Sequence, residues 1–206
     1  MNLLEVQSSV REEKSISRSL SKEFIQAWQT AHPTAQYVFR DVGVNPPAHP
    51  TELWTKGNYT PLEARTPEML EALADSDRLI EELLWADCLV LGVPMYNFSV
   101  PSNFKAYVDN VVRVERTFAF DRTNFTFQGL ATGKKALVIL PSAASYALGT
   151  PMAKMDFCEP YLRSLLNFIG IDDVTVITVP NQFLPNKQQQ EIEKARNKLL
   201  NLAATW

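Results

Sequence analysis

The chain has 206 residues, a formal net charge of −3, and 46% hydrophobic residues. This length and composition predict one domain over residues 1–206 with a sizeable core, and no apolar run approaches the roughly 20 residues that cross a bilayer. The slightly acidic balance argues against nucleic acid as a partner, and no cluster of histidines and cysteines has the spacing of a metal site.

The first half of the chain alternates between apolar runs of strand length and segments with apolar residues at helical spacing. Thr66 and Pro67 mark one helix start, because threonine caps helices and proline fits the first helical position. Residues 42–64 are rich in Pro, Asn, Thr and Gly, which predicts a long excursion without regular structure. The predicted elements are a strand over 3–7, a helix over 17–31, a strand over 37–39 and a helix over 67–85.

The second half continues the alternation. Residues 88–93 form a fully apolar run, which predicts a buried strand. Gly170 predicts the end of the helix over 155–168, because glycine favours the position after a helix. Residues 116–128 alternate aromatic and polar side chains, which predicts a small hairpin. The other predicted elements are helices over 101–113, 155–168 and 187–203, strands over 136–140 and 174–179, and a loop over 142–151.

Five strands that alternate with five helices predict an α/β fold of three layers, with a parallel sheet covered by helices on both faces. For strands of this number and length we predict the flavodoxin-like order 2-1-3-4-5. Ligands of such sheets bind beyond the carboxyl ends of the strands, near the switch point between the first and third strands. The loops after the first, third and fourth strands are therefore the candidate site.

The loop after the first strand is rich in serine and has no glycine, so it is neither a P-loop nor a dinucleotide-binding fingerprint. Ser9, Ser15 and Ser17 lie near a helix N-terminus, whose unpaired N–H groups attract a phosphate monoester. The alternative is that Ser15 or Ser17 only caps the helix. Lys14 and Arg18 either add charge to a phosphate site or belong to a solvated surface.

The loop after the third strand is the most informative stretch, and it consists of Pro94, Met95, Tyr96, Asn97 and Phe98. Backbone N–H groups from Met95 to Phe98 can bond the polar edge of an isoalloxazine ring. Tyr96 or Phe98 can pack on the flank of the ring, and Asn97 can donate near its N5 atom. The alternative is that these side chains only fill the core, as aromatic clusters usually do.

The loop after the fourth strand contains Ser142, Ala143 and Ala144. Such small residues let the pyrimidine edge of a ring approach the backbone. An ordinary surface loop explains the same residues equally well.

Taken in order, these motifs resemble the FMN-dependent NADH-azoreductases, flavodoxin-like relatives of the NAD(P)H:quinone reductases. The resemblance covers nearly the whole chain. The matching segments are Ser9, Ser15–Ser17, Pro94–Phe98, Pro101–Asp109, Thr117–Phe118, Gly129–Leu130, Gly133–Ala136, Pro160–Leu162, Phe168–Ile171 and Val174.

The resemblance implies an FMN cofactor, with the phosphate held by Ser9, Ser15, Ile16 and Ser17 and the flavin lined by Met95–Phe98. It implies a homodimer with one FMN per subunit and both sites at the interface. It also implies ping-pong reduction of quinones or azo compounds with NADH or NADPH as the donor. No catalytic side chain is needed, because FMN N5 is the reactive atom.

Two features are individual to this chain. Family members often carry Ser-Arg-Gly-Gly after the fourth strand, where this chain has Pro141-Ser142-Ala143-Ala144, so side-chain contacts to the ring are expected to differ. The candidate walls of the substrate pocket are aromatic, with Phe120 and Tyr161 favoured over the others. These candidates are Tyr59, Phe118, Phe120 and Tyr161.

Two other functions fit a flavodoxin-like fold. An FMN electron carrier or redox sensor would usually lack a deep substrate pocket, and the excursion over 42–64 and the aromatic segment over 116–128 favour an enzyme. A phosphate-ester hydrolase is disfavoured, because the first loop has no Cys or Asp placed as a nucleophile.

Cys88 and Cys158 have no paired spacing, and the first residues lack a basic region followed by a long apolar one. Reduced thiols and the lack of a recognisable signal peptide predict a cytoplasmic protein.

Overall fold

The computed structural model describes residues 1–206 and contains seven strands. They are β1 (Asn2–Gln7), β2 (Gln36–Asp41), β3 (Cys88–Gly92), β4 (Phe118–Asp121), β5 (Thr126–Gly129), β6 (Lys135–Pro141) and β7 (Asp173–Val179). Five form a parallel sheet in the order β2-β1-β3-β6-β7, which is the predicted order 2-1-3-4-5 when only the sheet strands are numbered. The antiparallel pair β4 and β5 is the predicted hairpin.

Six α-helices connect these strands. They are α1 (Ile16–Ala31), α2 (Glu52–Tyr59), α3 (Pro67–Trp85), α4 (Ser102–Val111), α5 (Glu159–Phe168) and α6 (Pro185–Ala203). At the start of α3, the Thr66 side chain accepts a hydrogen bond from Met69 N, as predicted from the sequence. None of the helices has the length and apolar character that a membrane crossing requires.

Successive residues of the central strands supply two separate cores, one on each face of the sheet. On one face, Leu3 and Val90 pack with α1 and α6. On the other face, Leu4 and Leu89 pack with α3, α4 and α5. A strand buried on both faces is continuously apolar, which explains why these strands could be recognised in the sequence.

The prediction that residues 42–64 lack regular structure is wrong, because this stretch contains α2, and the helix count is therefore six rather than five. Thr51 caps the helix by accepting from Trp54 N. The helix lies so close to α3 that a Cβ at Gly57 would lie 3.2 Å from Leu73 Cδ1. Glycine, read in the sequence as a sign of irregular structure, here permits close helix packing.

The prediction of a helix from residue 155 is also wrong at its start. Residues Ala153–Met155 form a 3₁₀ turn, and α5 begins at Glu159. Asp156 Oδ1 accepts from both Cys158 N and Glu159 N at 3.0 Å, so a side-chain cap fixes the later start.

Candidate functional site

A pocket of about 360 Å³ lies where β1, β3, β6 and β7 end. It is at the carboxyl edge of the sheet, where the sequence placed the site. Nine of the twelve predicted cofactor residues line it: Ser9, Ser15, Ile16, Ser17, Pro94, Met95, Tyr96, Ser142 and Ala143.

The loop after β1 brings three buried serines and a helix N-terminus to one end of the pocket. Ser15 is the N-cap of α1, since its Oγ accepts from Arg18 N, and it also lies 3.2 Å from Ser17 Oγ. The N–H groups of Ile16 and Ser17 have no acceptor within the protein. The capping role and a place in the pocket are therefore compatible.

Arg18, whose role the sequence left open, does not line the pocket. Its Nη1 and Nη2 atoms lie 2.6 and 2.7 Å from the two carboxylate oxygens of Asp41. The hydrogen bond to Asp41 raises the pKa of the guanidinium. Burial alone would raise the pKa of the Asp41 carboxyl, but Arg18 and two backbone amides hold it below its usual value.

The loop after β3 is a two-residue hairpin turn. Tyr96 and Ser99 exchange backbone hydrogen bonds of 2.9 and 3.1 Å around Asn97 and Phe98, whose φ values are +48° and +73°. Two consecutive positive φ values are the mark of a type I′ turn. The tip of the loop is therefore rigid and strained.

This turn narrows the prediction that backbone N–H groups from Met95 to Phe98 can bond the polar edge of a ring. Met95 N donates to Pro141 O at 2.9 Å and Tyr96 N donates to Ser99 O, so both groups are already used. Only the N–H groups of Asn97 and Phe98 remain without an acceptor.

Three predicted cofactor residues lie outside the pocket lining: Asn97, Phe98 and Ala144. Asn97 lines a neighbouring cavity of about 500 Å³, which shares Tyr96 with the first pocket. The Phe98 ring meets Tyr146 edge to face, with 6.4 Å between centroids. The Ala144 carbonyl accepts from Ser142 Oγ at 2.8 Å, within its own loop.

The loop after β7 supplies two lining residues that the sequence analysis missed, Gln182 and Phe183. Their N–H groups donate to the Ser142 and Ala143 carbonyls at 3.1 and 3.2 Å, so this loop is joined to the one after β6. Gln182 Nε2 donates to Pro180 O at 2.9 Å, while its Oε1 is a buried acceptor without a partner. The rule that ligands bind beyond strand ends, applied to the fifth sheet strand, would have found both residues.

Arg11 and Lys14 also line the pocket and bring positive charge to its serine-rich end. Val10, which is 61% exposed, lies between them and Ser9 in the same loop. Of the two roles that the sequence allows for Lys14, charge at a phosphate site or a solvated surface, its place in the pocket supports the first, while no sequence signal marks Arg11.

None of the four aromatic substrate-pocket candidates lines this pocket. Tyr59 and Tyr161 both line another cavity of about 770 Å³. Burial raises the pKa of Tyr161 to about 12. Phe120 shares a third cavity of about 820 Å³ with Tyr59. Phe118 instead packs on Phe168, with ring centroids 4.9 Å apart.

The comparisons agree in the fold. Residues 1–203 match the sequence model of a protein family that is described as having a flavodoxin-like fold. The FMN-dependent NADH:quinone oxidoreductase of Nostoc punctiforme is 42% identical over 206 residues, covering 100% of both chains. The FMN-dependent NADH:quinone oxidoreductase 2 of Pseudomonas putida is 41% identical over 202 residues, covering 98% of each.

Solved structures give the same architecture. An azoreductase from Bacillus anthracis has a TM-score of 0.91 at 22% identity over the full length of both chains. An FMN-dependent NADH-azoreductase from the same species, in complex with FMN, has a TM-score of 0.87 at 19% identity, covering 99% of this chain and 98% of the other. At these identities the likeness concerns the fold.

Proposed function

The chain belongs to the FMN-dependent NADH:quinone oxidoreductase family and has its flavodoxin-like fold, and on that premise we propose that it reduces quinones and azo compounds with NADH. One observation carries the proposal. A single pocket at the switch point joins a helix N-terminus with buried hydroxyls to a rigid aromatic loop. FMN, when bound, supplies a ring that carries two electrons between donor and acceptor in separate half-reactions.

The serine-rich end of the pocket suits the phosphate of FMN. Ile16 and Ser17 offer unpaired N–H groups at the positive end of α1, and the nearby serine hydroxyls can add donors. Arg11 and Lys14 supply the countercharge. A phosphate dianion matches this donor set, because it has acceptors only.

The other end of the pocket suits an isoalloxazine ring. Pro94, Met95 and Tyr96 form its apolar wall. The unpaired N–H groups of Asn97 and Phe98 lie at the tip of the same loop, beside the neighbouring cavity that shares Tyr96, so a ring that extends past Tyr96 can accept from them.

We further propose that the protein is a cytoplasmic homodimer with its two sites at the interface. The resemblance to the azoreductases supports this arrangement, and Tyr59 and Tyr161 then become candidates to contact an acceptor between the subunits. NADH is the donor we propose, because the related proteins carry it in their names.

The test uses purified protein supplied with FMN. We expect the bound flavin to give a visible spectrum, NADH to bleach it without oxygen, and a quinone to restore it with many turnovers. Ser17→Ala should weaken FMN binding by a factor of about ten to one hundred, since a hydrogen bond to a charged group contributes about 1.5–3 kcal/mol. The matched control is Ser19→Ala, because Ser19 is exposed on the same helix and does not line the pocket.

A protein that takes up no FMN would refute the proposal. Bleaching and recolouring in a single stoichiometric cycle, without turnover, would instead indicate the electron carrier or sensor.

A further inference from the structure

The loop between β1 and α1 contains no glycine, and hydrogen bonds from the Arg18 guanidinium, outside the pocket, hold its backbone. Arg18 Nη2 donates to the Ser9 carbonyl at 2.8 Å, and Arg18 Nε donates to the Arg11 carbonyl at 2.9 Å. The two carbonyls lie at the beginning of the loop, while Arg18 itself lies in the first turn of α1. Arg18 therefore ties the start of the loop to its end.

Asp41 holds the guanidinium in this position. Both of its oxygens bond to Arg18, and its Oδ1 also accepts from Gly43 N and Val44 N at 3.0 and 3.1 Å. The two side chains are only 16% and 17% exposed. A bidentate pair of this kind fixes direction as well as distance.

The backbone that follows β2 also packs against the Arg18–Asp41 pair and the start of the loop. Gly43 N donates to Gln7 O at 3.0 Å, and a Cβ at position 43 would collide with the Ser9 carbonyl oxygen. The end of β2, the start of the loop and the first turn of α1 therefore meet at the Arg18–Asp41 pair.

This arrangement sets the direction of the groups that face the pocket. Ser9 Oγ accepts from Arg11 N at 3.2 Å, so its own O–H stays free to donate elsewhere. Ser9 is 2% exposed and lines the pocket, whereas Arg18 does not line it. With the Ser9 and Arg11 carbonyls held, the Ser9 hydroxyl and the N-terminus of α1 converge on the same space.

We propose that Arg18 and Asp41 are positioning residues that give this protein its preference for FMN over riboflavin. They act through the loop after β1, by holding the phosphate-binding donors in place without touching the phosphate. The inference rests on the proposed function, since it takes the pocket to be an FMN site.

The opposing possibility is that Arg18 contacts the phosphate directly. The two cases differ in what Asp41 does. If Arg18 binds phosphate, Asp41 competes for the guanidinium, and Asp41→Asn should leave FMN binding unchanged or tighten it. If the pair positions the loop, Asp41→Asn should weaken FMN binding as Arg18→Lys does, because lysine keeps the charge but cannot form the planar fork.

The experiment measures the dissociation constants of FMN and riboflavin for the full chain, by quenching of flavin fluorescence. The variants are Arg18→Lys, Asp41→Asn and their combination. The matched control is Arg196→Lys, because Arg196 also bonds bidentately to a carboxylate of α1, Glu23, but lies away from the pocket. Thermal unfolding of each variant reports whether the fold is retained.

We expect each single variant to bind FMN about tenfold more weakly, as happens when residues that orient a binding group are removed. Riboflavin binding should stay within about twofold, the double variant should match the single ones, and Arg196→Lys should bind like the wild type.

Unchanged FMN affinity in Arg18→Lys would overturn the inference and leave the proposed function standing. So would an equal loss of both flavins, or loss in Arg18→Lys without loss in Asp41→Asn. Wild-type protein that binds neither flavin would overturn the proposed function together with the inference.

Discussion

Asn97 and Phe98 occupy the left-handed region of backbone space, at φ values of +48° and +73°. Asparagine tolerates this region, but a phenylalanine there is an outlier. Such strain is kept where the surrounding structure over-determines it, as it is here by the paired hydrogen bonds between Tyr96 and Ser99. The strain lies at the tip of the loop proposed to hold the flavin, with both free N–H groups on it.

The turn makes a prediction about substitutions at Asn97. Replacement by alanine should lower the free energy of unfolding by about 1 kcal/mol, because left-handed backbone is costly for a residue with an ordinary Cβ. Replacement by glycine should leave it nearly unchanged. Urea unfolding of both variants measures the difference.

Asn201 supplies the control, since it is exposed in the last turns of α6. At Asn201 the order should reverse, with alanine more stable than glycine by about 0.8–1.0 kcal/mol. Alanine as stable as glycine at position 97 would contradict the assigned turn.

At this scale the sequence predicted positions better than it predicted hydrogen bonds. Ser15 and Ser17 could be placed because a helix start and a strand end locate them. The hydrogen bond from Met95 N to the Pro141 carbonyl could not be foreseen, because it joins a loop to the end of β6, 46 residues away in the chain. Gln182 could have been predicted from its place after a sheet strand.

At the scale of elements, α2 shows what local sequence cannot reveal. Arg113, two residues after the end of α4, has a fully buried side chain, and its Nε donates to Asn58 Oδ1 of α2 at 3.0 Å. Its Nη1 donates to Ser76 and Asp77 of α3, and its guanidinium lies 5.6 Å from the centre of the Trp54 ring. A helix of eight residues is marginal alone, so these tertiary contacts stabilise it.

Arg113→Ala should therefore destabilise the protein by about 1–3 kcal/mol, because it leaves the buried acceptor Asn58 Oδ1 without its donor, whereas Asp77 keeps its ion pair with Arg116. Burial, only partly opposed by Asp77, lowers the pKa of Arg113, and its Nη2 is buried without a hydrogen-bond partner, so the site is costly. Urea unfolding measures the loss.

Arg116 is the matched control, as it also bonds to Asp77 but is 28% exposed. Arg116→Ala should destabilise by at most about 1 kcal/mol. Similar losses in the two variants would mean that the buried cluster does not anchor α2.

At the scale of the whole molecule, the parallel sheet could be predicted from the alternation of apolar strand segments and helices along the sequence. Strands buried on both faces read as continuous apolar runs, and the helices between them require parallel pairing. The structure of residues 42–64 and the proposed association of subunits do not follow from such patterns. Both depend on contacts between distant surfaces.

The proposed homodimer is tested by sedimentation velocity over a range of protein concentrations. We expect a species of twice the mass of one chain at micromolar concentration, because large aromatic side chains stay exposed on the single chain. Tyr59 is 72% exposed and Phe125 is 79% exposed. A single-chain mass at every concentration would refute the dimer.

The backbone hydrogen bonds of the sheet continue into the loops that follow its strands. This continuation affects the rate at which a ligand binds. Ser8 N donates to Gly92 O, Met95 N to Pro141 O and Ser142 N to Val179 O, so the start of each of these loops is tied to the end of the neighbouring strand before any ligand arrives. A preorganised rim loses little conformational entropy when a ligand enters. Association should then be limited by encounter, in one phase proportional to ligand concentration, rather than by slow closure of the loops.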